Sequence, residues 1–337
     1  MNRLIFLLSI TFSFSNCSSS QSEMQLSHTE NASEYANSIS ANELKEMLYT
    51  YASDEFEGRQ TGESGQKKAV EFIKNRYLSL KIPSPIAEGD YFQEIPASYF
   101  IKFGIKDSEN VLAYIKGSEK PDEVVIISSH LDHVGISSNG DINNGADDDG
   151  SGTVDMLEIA EAFKMADDAG FGPKRSVLFL HVTGEEIGLY GSKYYVQEDP
   201  VFSLENTVVD LNIDMIGRID PKHENKGDYL YLIGSDKLSK ELHNLSESIN
   251  NKYFNMEFDY TFNDDNDPNR YYYRSDHYNF AEKNIPVIFY YNGEHADYHK
   301  PTDTPDKIEY DLLETRSRLI FYTAWEIANR EERLKLD

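Results

Sequence analysis

The run Val124-Val-Ile-Ile127 contains no polar residue, and Val177-Leu-Phe-Leu180, Tyr229-Leu-Tyr-Leu-Ile233 and Val287-Ile-Phe-Tyr290 repeat the pattern. Val208-Val-Asp-Leu-Asn-Ile213 is a close variant. A strand with one wet face alternates polar and apolar residues, so continuous runs belong to strands covered on both faces. Helical patterns lie between or after them, at about 152–166, 237–250, 276–283 and 309–330. Strands alternating with helices predict one α/β domain with a mostly parallel or mixed sheet. Upstream, Ser40-Ala-Asn-Glu43 has the form of a capping box before a helix that carries Leu44, Met47, Leu48 and Tyr51 on one face. A second helix follows Gly65, with Ala69, Val70, Ile73 and Tyr77 inward, and residues 91–116 read as two or three strands.

The amino terminus reads differently. Arg3 precedes about eleven mostly apolar residues, which fits a secretory signal over 1–16 and is short for a membrane span. Cys17, the one cysteine, follows in Asn16-Cys17-Ser-Ser-Ser, similar to a bacterial lipoprotein box except that Asn16 stands where a small residue is usual. An ordinary signal with an incidental cysteine is the alternative. Residues 17–40 are then a lipidated or flexible tether, and the protein is exported to a bacterial periplasm or envelope, touching membrane only through that lipid. One cysteine excludes a disulfide framework and a thiolate metal cluster. With 32 basic and 59 acidic residues the net charge is −27, which argues against nucleic acid as a partner.

Three apolar runs lead into polar residues at their carboxyl ends: His130-Leu-Asp132-His133, His181-Val-Thr-Gly-Glu185-Glu186, and Asp214. Ligands of open α/β sheets bind there, and imidazole with carboxylate is the donor set of a hydrolytic metal site. Asp147-Asp-Asp149 lies on the loop after the first run; a cation would relieve the repulsion, or one aspartate could cap the helix opening near Gly152. The histidine of Tyr298-His299-Lys-Pro-Thr-Asp303 could close the set.

These motifs, with Ser53-Asp-Glu-Phe-Glu-Gly-Arg59-Gln-Thr-Gly62, make residues 41–330 resemble the secreted di-zinc aminopeptidases, a metallopeptidase family that also holds carboxypeptidases, glutaminyl cyclases and receptor-like members. The resemblance implies a three-layer αβα domain over 41–337 with a mixed, mostly parallel sheet. It implies two zinc ions: one on His130, Asp148 and Asp214, the other on Asp148, Glu186 and His299. Glu185 would be the general base, Tyr298 the donor to the oxyanion, and Asp132 the hydrogen-bond partner of His130. The protease-associated insert of some relatives is missing, since only about 14 residues separate Ile115 from His130. Hydrolysis of the N-terminal residue of peptides by a zinc-bound hydroxide follows, with a monomer expected.

Other residues read as support or bulk. His28 and His243 are read as solvent-facing, His223 as part of a polar loop and His181 as core. His133, His277 and His295 read as supporting groups, and Trp325 as core. The 263–267 acidic run lacks the glycine and distal glutamate of a calcium loop. The stretch from Tyr271 to His277 is expected to line the cleft. Carboxypeptidase action would need a cation for the substrate carboxylate, from Arg218, Arg270 or Arg274. Glutaminyl cyclisation would need a tryptophan-lined pocket that a single Trp325 cannot build. An inactive peptide-binding lipoprotein is the remaining rival.

Overall fold

A computed structural model of the chain describes residue 26, residues 31–100 and residues 104–337. Three helices come first: α1 (Ala32–Ala36), α2 (Ala41–Tyr51) and α3 (Ser64–Leu80). Strands β1 (Phe92–Ile95), β2 (Ser108–Ile115) and β3 (Lys120–His130) follow, then α4 (Gly152–Asp168), β4 (Arg175–Val182) and α5 (Tyr190–Gln197). The rest is β5 (Thr207–Ile213), β6 (Tyr229–Ile233), α6 (Lys240–Tyr253), β7 (Glu257–Asp259), α7 (His277–Ala281), β8 (Val287–Tyr291) and α8 (Tyr310–Asn329).

The strands form one sheet of eight in the order β1-β2-β4-β3-β5-β8-β6-β7. Its centre, β4-β3-β5-β8, is parallel throughout. β2 joins β4 antiparallel and β6 joins β8 antiparallel, so the sheet is mixed at its flanks. Alternate residues of each apolar run enter two separate cores. Val125, Ile127, Val177 and Phe179 pack with the helices of one face, α1 to α4, α6 and α8. Val124, Ile126, Leu178 and Leu180 pack with α5 and α7 on the other. Burying each such side chain contributes roughly 1.5–3 kcal/mol, which is why no polar residue interrupts these runs. The architecture is the three-layer αβα domain expected. Only residues 116–119 link β2 to β3, and no helix among the described residues is long and apolar enough to cross a membrane.

Three expectations need correction. The tether over 17–40 ends earlier than its composition implied: α1 lies inside it, Ala32 and Ala36 are fully buried, and Tyr35 stacks on Trp325 with ring centroids 5.8 Å apart. Apolar contacts spaced three and four apart, Ala32, Tyr35, Ala36 and Ile39, were outweighed in the sequence by the polar residues between them. Residues 17–25 and 27–30 of that segment, with Cys17 and His28, lie outside the described residues. Ser40 precedes α2 as predicted but makes no capping bond with its side chain; its N–H donates instead to Glu158 Oε2 at 3.1 Å. Finally, α5 and β7 were not foreseen, being too short for their periodicity to stand out.

Tyr35→Ala tests the first correction. It should lower stability by about 3 kcal/mol, the scale of an aromatic truncated in a core, when unfolding is followed in denaturant. A change within about 0.5 kcal/mol, the surface value, would return residues 31–40 to the tether.

Candidate metal centre

Because β4, β3, β5 and β8 run parallel and adjacent, their carboxyl ends open on one edge of the sheet. His130 is the last residue of β3, Asp214 follows β5, Glu185 and Glu186 follow β4, and His299 lies on the loop after β8. The 146–151 segment, a distorted turn running into α4 with a cis peptide between Asp148 and Asp149, supplies the rest.

Asp148 stands in the middle. Its Oδ1 lies 3.2 Å from His130 Nε2, which is 3.5 Å from Asp214 Oδ1. Its Oδ2 lies 3.0 Å from His299 Nε2, which is 3.1 Å from Glu186 Oε2. Ligands about 2.0–2.1 Å from a tetrahedral ion stand roughly 3.3 Å apart, so each trio has the spacing of donors facing one cation. His130 Nε2 and Asp148 Oδ2 are buried and make no hydrogen bond, as donors awaiting an ion would be. The five ligand candidates are thus brought together in the two sets expected.

Electrostatics agree. Burial disfavours a charged His130, yet the carboxylates of Asp214 and Asp148 outweigh it and hold its pKa well above the ordinary value. His299 is likewise lifted, against burial, to about 10 by Asp148 and Glu186. The negative charge that lifts both imidazoles is the charge a bound cation would neutralise.

Asp149 also lies within ligand distance of His130 and Asp214. Its oxygens, however, are already taken. Oδ2 accepts the N–H of His130 at 3.2 Å, and Oδ1 accepts those of Gly152 at 3.0 Å and Met215 at 3.1 Å. Burial pushes Asp149 well above the usual carboxylate range. Burial acts on Asp148 too, but His133, His130 and His299 override it and hold that carboxyl well below the range. The aspartate at the helix start and the ligand candidate, alternatives in the sequence, are therefore two neighbouring residues.

Asp132 differs from expectation. His130 Nδ1 meets the backbone oxygen of Asp132 at 3.0 Å, while the carboxylate stays 3.9 Å away. That carboxylate accepts from Thr61 Oγ1 at 2.6 Å and from the N–H of Glu185 at 3.2 Å. These two bonds turn the Asp132 side chain off the imidazole and toward the loop after β4. Its carboxylate therefore holds the proposed base.

A cleft of about 310 Å³ opens beside the cluster, lined by Asp148, Glu185, Asp214 and Tyr298 with Met215, Tyr271, Arg274, Phe289 and Tyr291. The Tyr298 ring stacks on His299 at 3.9 Å. Burial first, then the charges of Asp148 and Glu186, push its phenol pKa up, so it remains a donor. Of the Tyr271–His277 stretch, Tyr271 and Arg274 reach the cleft, and Ser275 donates to Asp214 Oδ2 at 2.6 Å.

The remaining histidines sort by contact. His133 Nδ1 lies 2.8 Å from Glu186 Oε1 and 3.6 Å from Asp148 Oδ2, within ligand distance of the second set, whereas His295 Nε2 lies 3.2 Å from Asp147 Oδ2 and outside both. His277 meets the backbone oxygen of Tyr272 at 2.9 Å. His181 is core as expected, its Nε2 2.7 Å from Tyr77 Oη, and burial lowers its pKa to about 3. The buried Arg59 escaped notice as a site residue. Its guanidinium stacks on Tyr51 and donates to the backbone oxygens of Leu131, Asn144 and Gly145, clamping both loops that flank the metal ligands. Arginine in a polar motif gives no sign that it will be buried.

Residues 110–324, more than half of the chain, match the family described as Peptidase family M28. The chain belongs to peptidase family M28. It is 26 % identical over 174 residues to the glutamate carboxypeptidase 2 homolog of Caenorhabditis elegans, covering 51 % of this chain and 19 % of that one. It superposes on the Legionella pneumophila LapA aminopeptidase with a TM-score of 0.70 at 20 % identity, over 91 % of this chain and 77 % of the other. For BSAP, a zinc aminopeptidase from Bacillus subtilis, the TM-score is 0.66 at 17 % identity, over 88 % and 97 %. The chain spans about a third or less of the length of the curated relatives it matches. At these identities the solved structures establish the fold alone.

The two aspartates should separate by mutation. Asp149→Ala leaves three buried N–H groups without an acceptor, each costing about 1–3 kcal/mol, so metal-free protein should unfold at markedly lower denaturant. Asp148→Asn should abolish tight divalent-metal binding in a chelator competition while lowering metal-free stability less. The reverse pattern would exchange their roles.

Proposed function

We propose that this M28 chain is a two-zinc exopeptidase that removes the N-terminal residue from peptides. The observation that carries the reading is Asp148, whose two oxygens face two separate donor trios. Nitrogen and oxygen donors without thiolate suit zinc. Two such ions would polarise the scissile carbonyl and acidify the attacking water.

The chain's own residues supply the rest. Glu185 belongs to neither trio and faces the cleft, so its carboxylate can take a proton from the attacking water. Burial above all, helped by the charges of Asp214 and Glu186 and opposed by His130, raises its pKa and makes it the better acceptor. The same proton then passes to the leaving nitrogen as the C–N bond breaks. Tyr298 Oη donates to the oxygen that gains charge. The carboxypeptidase alternative finds less support. Arg218 pairs with Asp297 at 3.0 Å, Arg270 stacks on Tyr273 beside a different pocket, and Arg274, the one of the three that lines the cleft, already pairs with Glu294 at 3.3 Å. Trp325 is buried against Phe163 and Phe321, away from the cleft, which argues against cyclisation.

Purified protein should cleave free aminoacyl substrates and C-terminally amidated peptides, leave N-acetylated peptides intact, and lose activity to a chelator until zinc is restored. Glu185→Gln should lower kcat by about 10²- to 10⁴-fold, the range of general acid–base catalysis, with two metal ions still bound per chain. Equal cleavage of acetylated and free peptides would sink the aminopeptidase reading.

We also infer export with a lipid on Cys17, supported by the apolar run and the residues around that cysteine. Cys17→Ser should abolish labelling by a fatty-acid analogue in a bacterial host; undiminished labelling would exclude the anchor.

A further inference from the structure

Asp303 is fully buried four residues beyond His299 and takes no part in either donor trio. Its Oδ2 accepts the backbone N–H of Asp147 at 2.9 Å and that of Asp148 at 3.2 Å. Its own backbone oxygen accepts the N–H of Ala146 at 3.2 Å. Three consecutive amides of the bridging segment are thus held by one residue of the loop that carries His299. Its other oxygen, Oδ1, lies 3.7 Å from Arg218 Nη1, so the carboxylate has a counter-charge behind it. Arg218 is fixed in turn: its N–H donates to Asn292 Oδ1 at 2.6 Å and its backbone oxygen accepts from Arg316 Nη1 at 2.8 Å. Asp214 stands four residues before Arg218, so the chain carrying the third carboxylate is tied into the same network. His295, from the Asp303 loop, reaches Asp147 Oδ2 as well.

Resting on the two-metal reading, we propose that Asp303 is the positioning residue that aims the Asp148 carboxylate, keeping one oxygen on each trio. Asp148 has no other side-chain acceptor for its N–H, and the peptide plane fixed there determines where its Cβ points. Without the Asp303 acceptor the amides of 147 and 148 lose their partner, the segment turns, and Asp148 can serve one metal position only at the expense of the other. The side chain acts through Asp148 and touches no substrate.

The test compares Asp303→Asn, whose amide oxygen can still accept both N–H groups, with Asp303→Leu, which fills similar space and accepts none. Zinc affinity is measured by competition with a chromophoric chelator on the metal-free full chain, and the cobalt-substituted proteins are compared by absorption spectrum. Asp303→Leu should lose about 10- to 100-fold in zinc affinity, the scale of lost outer-shell support, and Asp303→Asn no more than about threefold. The cobalt spectrum should change in the leucine variant only. Equal zinc affinities and equal cobalt spectra for both variants and wild type would overturn the proposal, even if the leucine variant unfolds at lower temperature. Should Asp303→Leu not fold, Asp303→Ser, whose hydroxyl is too short to reach both amides, takes its place under the same criteria. Wild-type protein that binds no zinc would instead refute the two-metal reading.

Discussion

Crowded negative charge is the constraint around which this molecule is arranged. Asp132, Asp147, Asp148, Asp149, Asp214 and Asp303 are all buried within one corner of the fold. Ionised carboxylates taken out of water are expensive unless paired or hydrogen-bonded, and each here has a different remedy. Asp149 takes three backbone N–H groups, Asp303 takes two amides and faces Arg218, and Asp132 takes Thr61 and an amide. Of the oxygens left without a hydrogen bond, Asp147 Oδ2 faces His295 and Asp303 Oδ1 faces Arg218, while Asp148 Oδ2, like His130 Nε2, belongs to the donor trios. The site is therefore defined by subtraction, as the atoms that the surrounding structure leaves for cations.

The sheet makes that crowding possible. Antiparallel neighbours would send their carboxyl ends to opposite edges, whereas four adjacent parallel strands send them to one. The continuous apolar runs that predict those strands are the same property seen from the core: helices must cover both faces of a parallel sheet. Fold and site are consequently two readings of one pattern.

This explains how far the sequence could be read. Val124–Ile127 and its repeats announced the buried strands, and the polar residues just beyond announced the ligands. The assignment of Asp148 among three aspartates rested on resemblance alone, because adjacent identical side chains carry no local signal of which faces the metal and which the backbone. Arg59 and Asp303 were not legible as site residues for a related reason. Their partners are backbone groups of distant segments, and a backbone amide leaves no mark in a sequence. The first helix was hidden differently: five residues give too little periodicity, and only the groove beside Trp325 shows that Tyr35 has somewhere to go.

The two donor sets differ in their exposure to water. The His130 side chain is 1 % exposed and that of His299 is 37 % exposed. On the two-metal reading, an ion held through His130 would meet solvent by way of the cleft that Asp148 and Asp214 line. One held through His299 already has solvent beside it. On the two-metal reading, the two positions would thus be alike in chemistry and unlike in their access to water, one reached through the cleft and the other through an imidazole already at the surface.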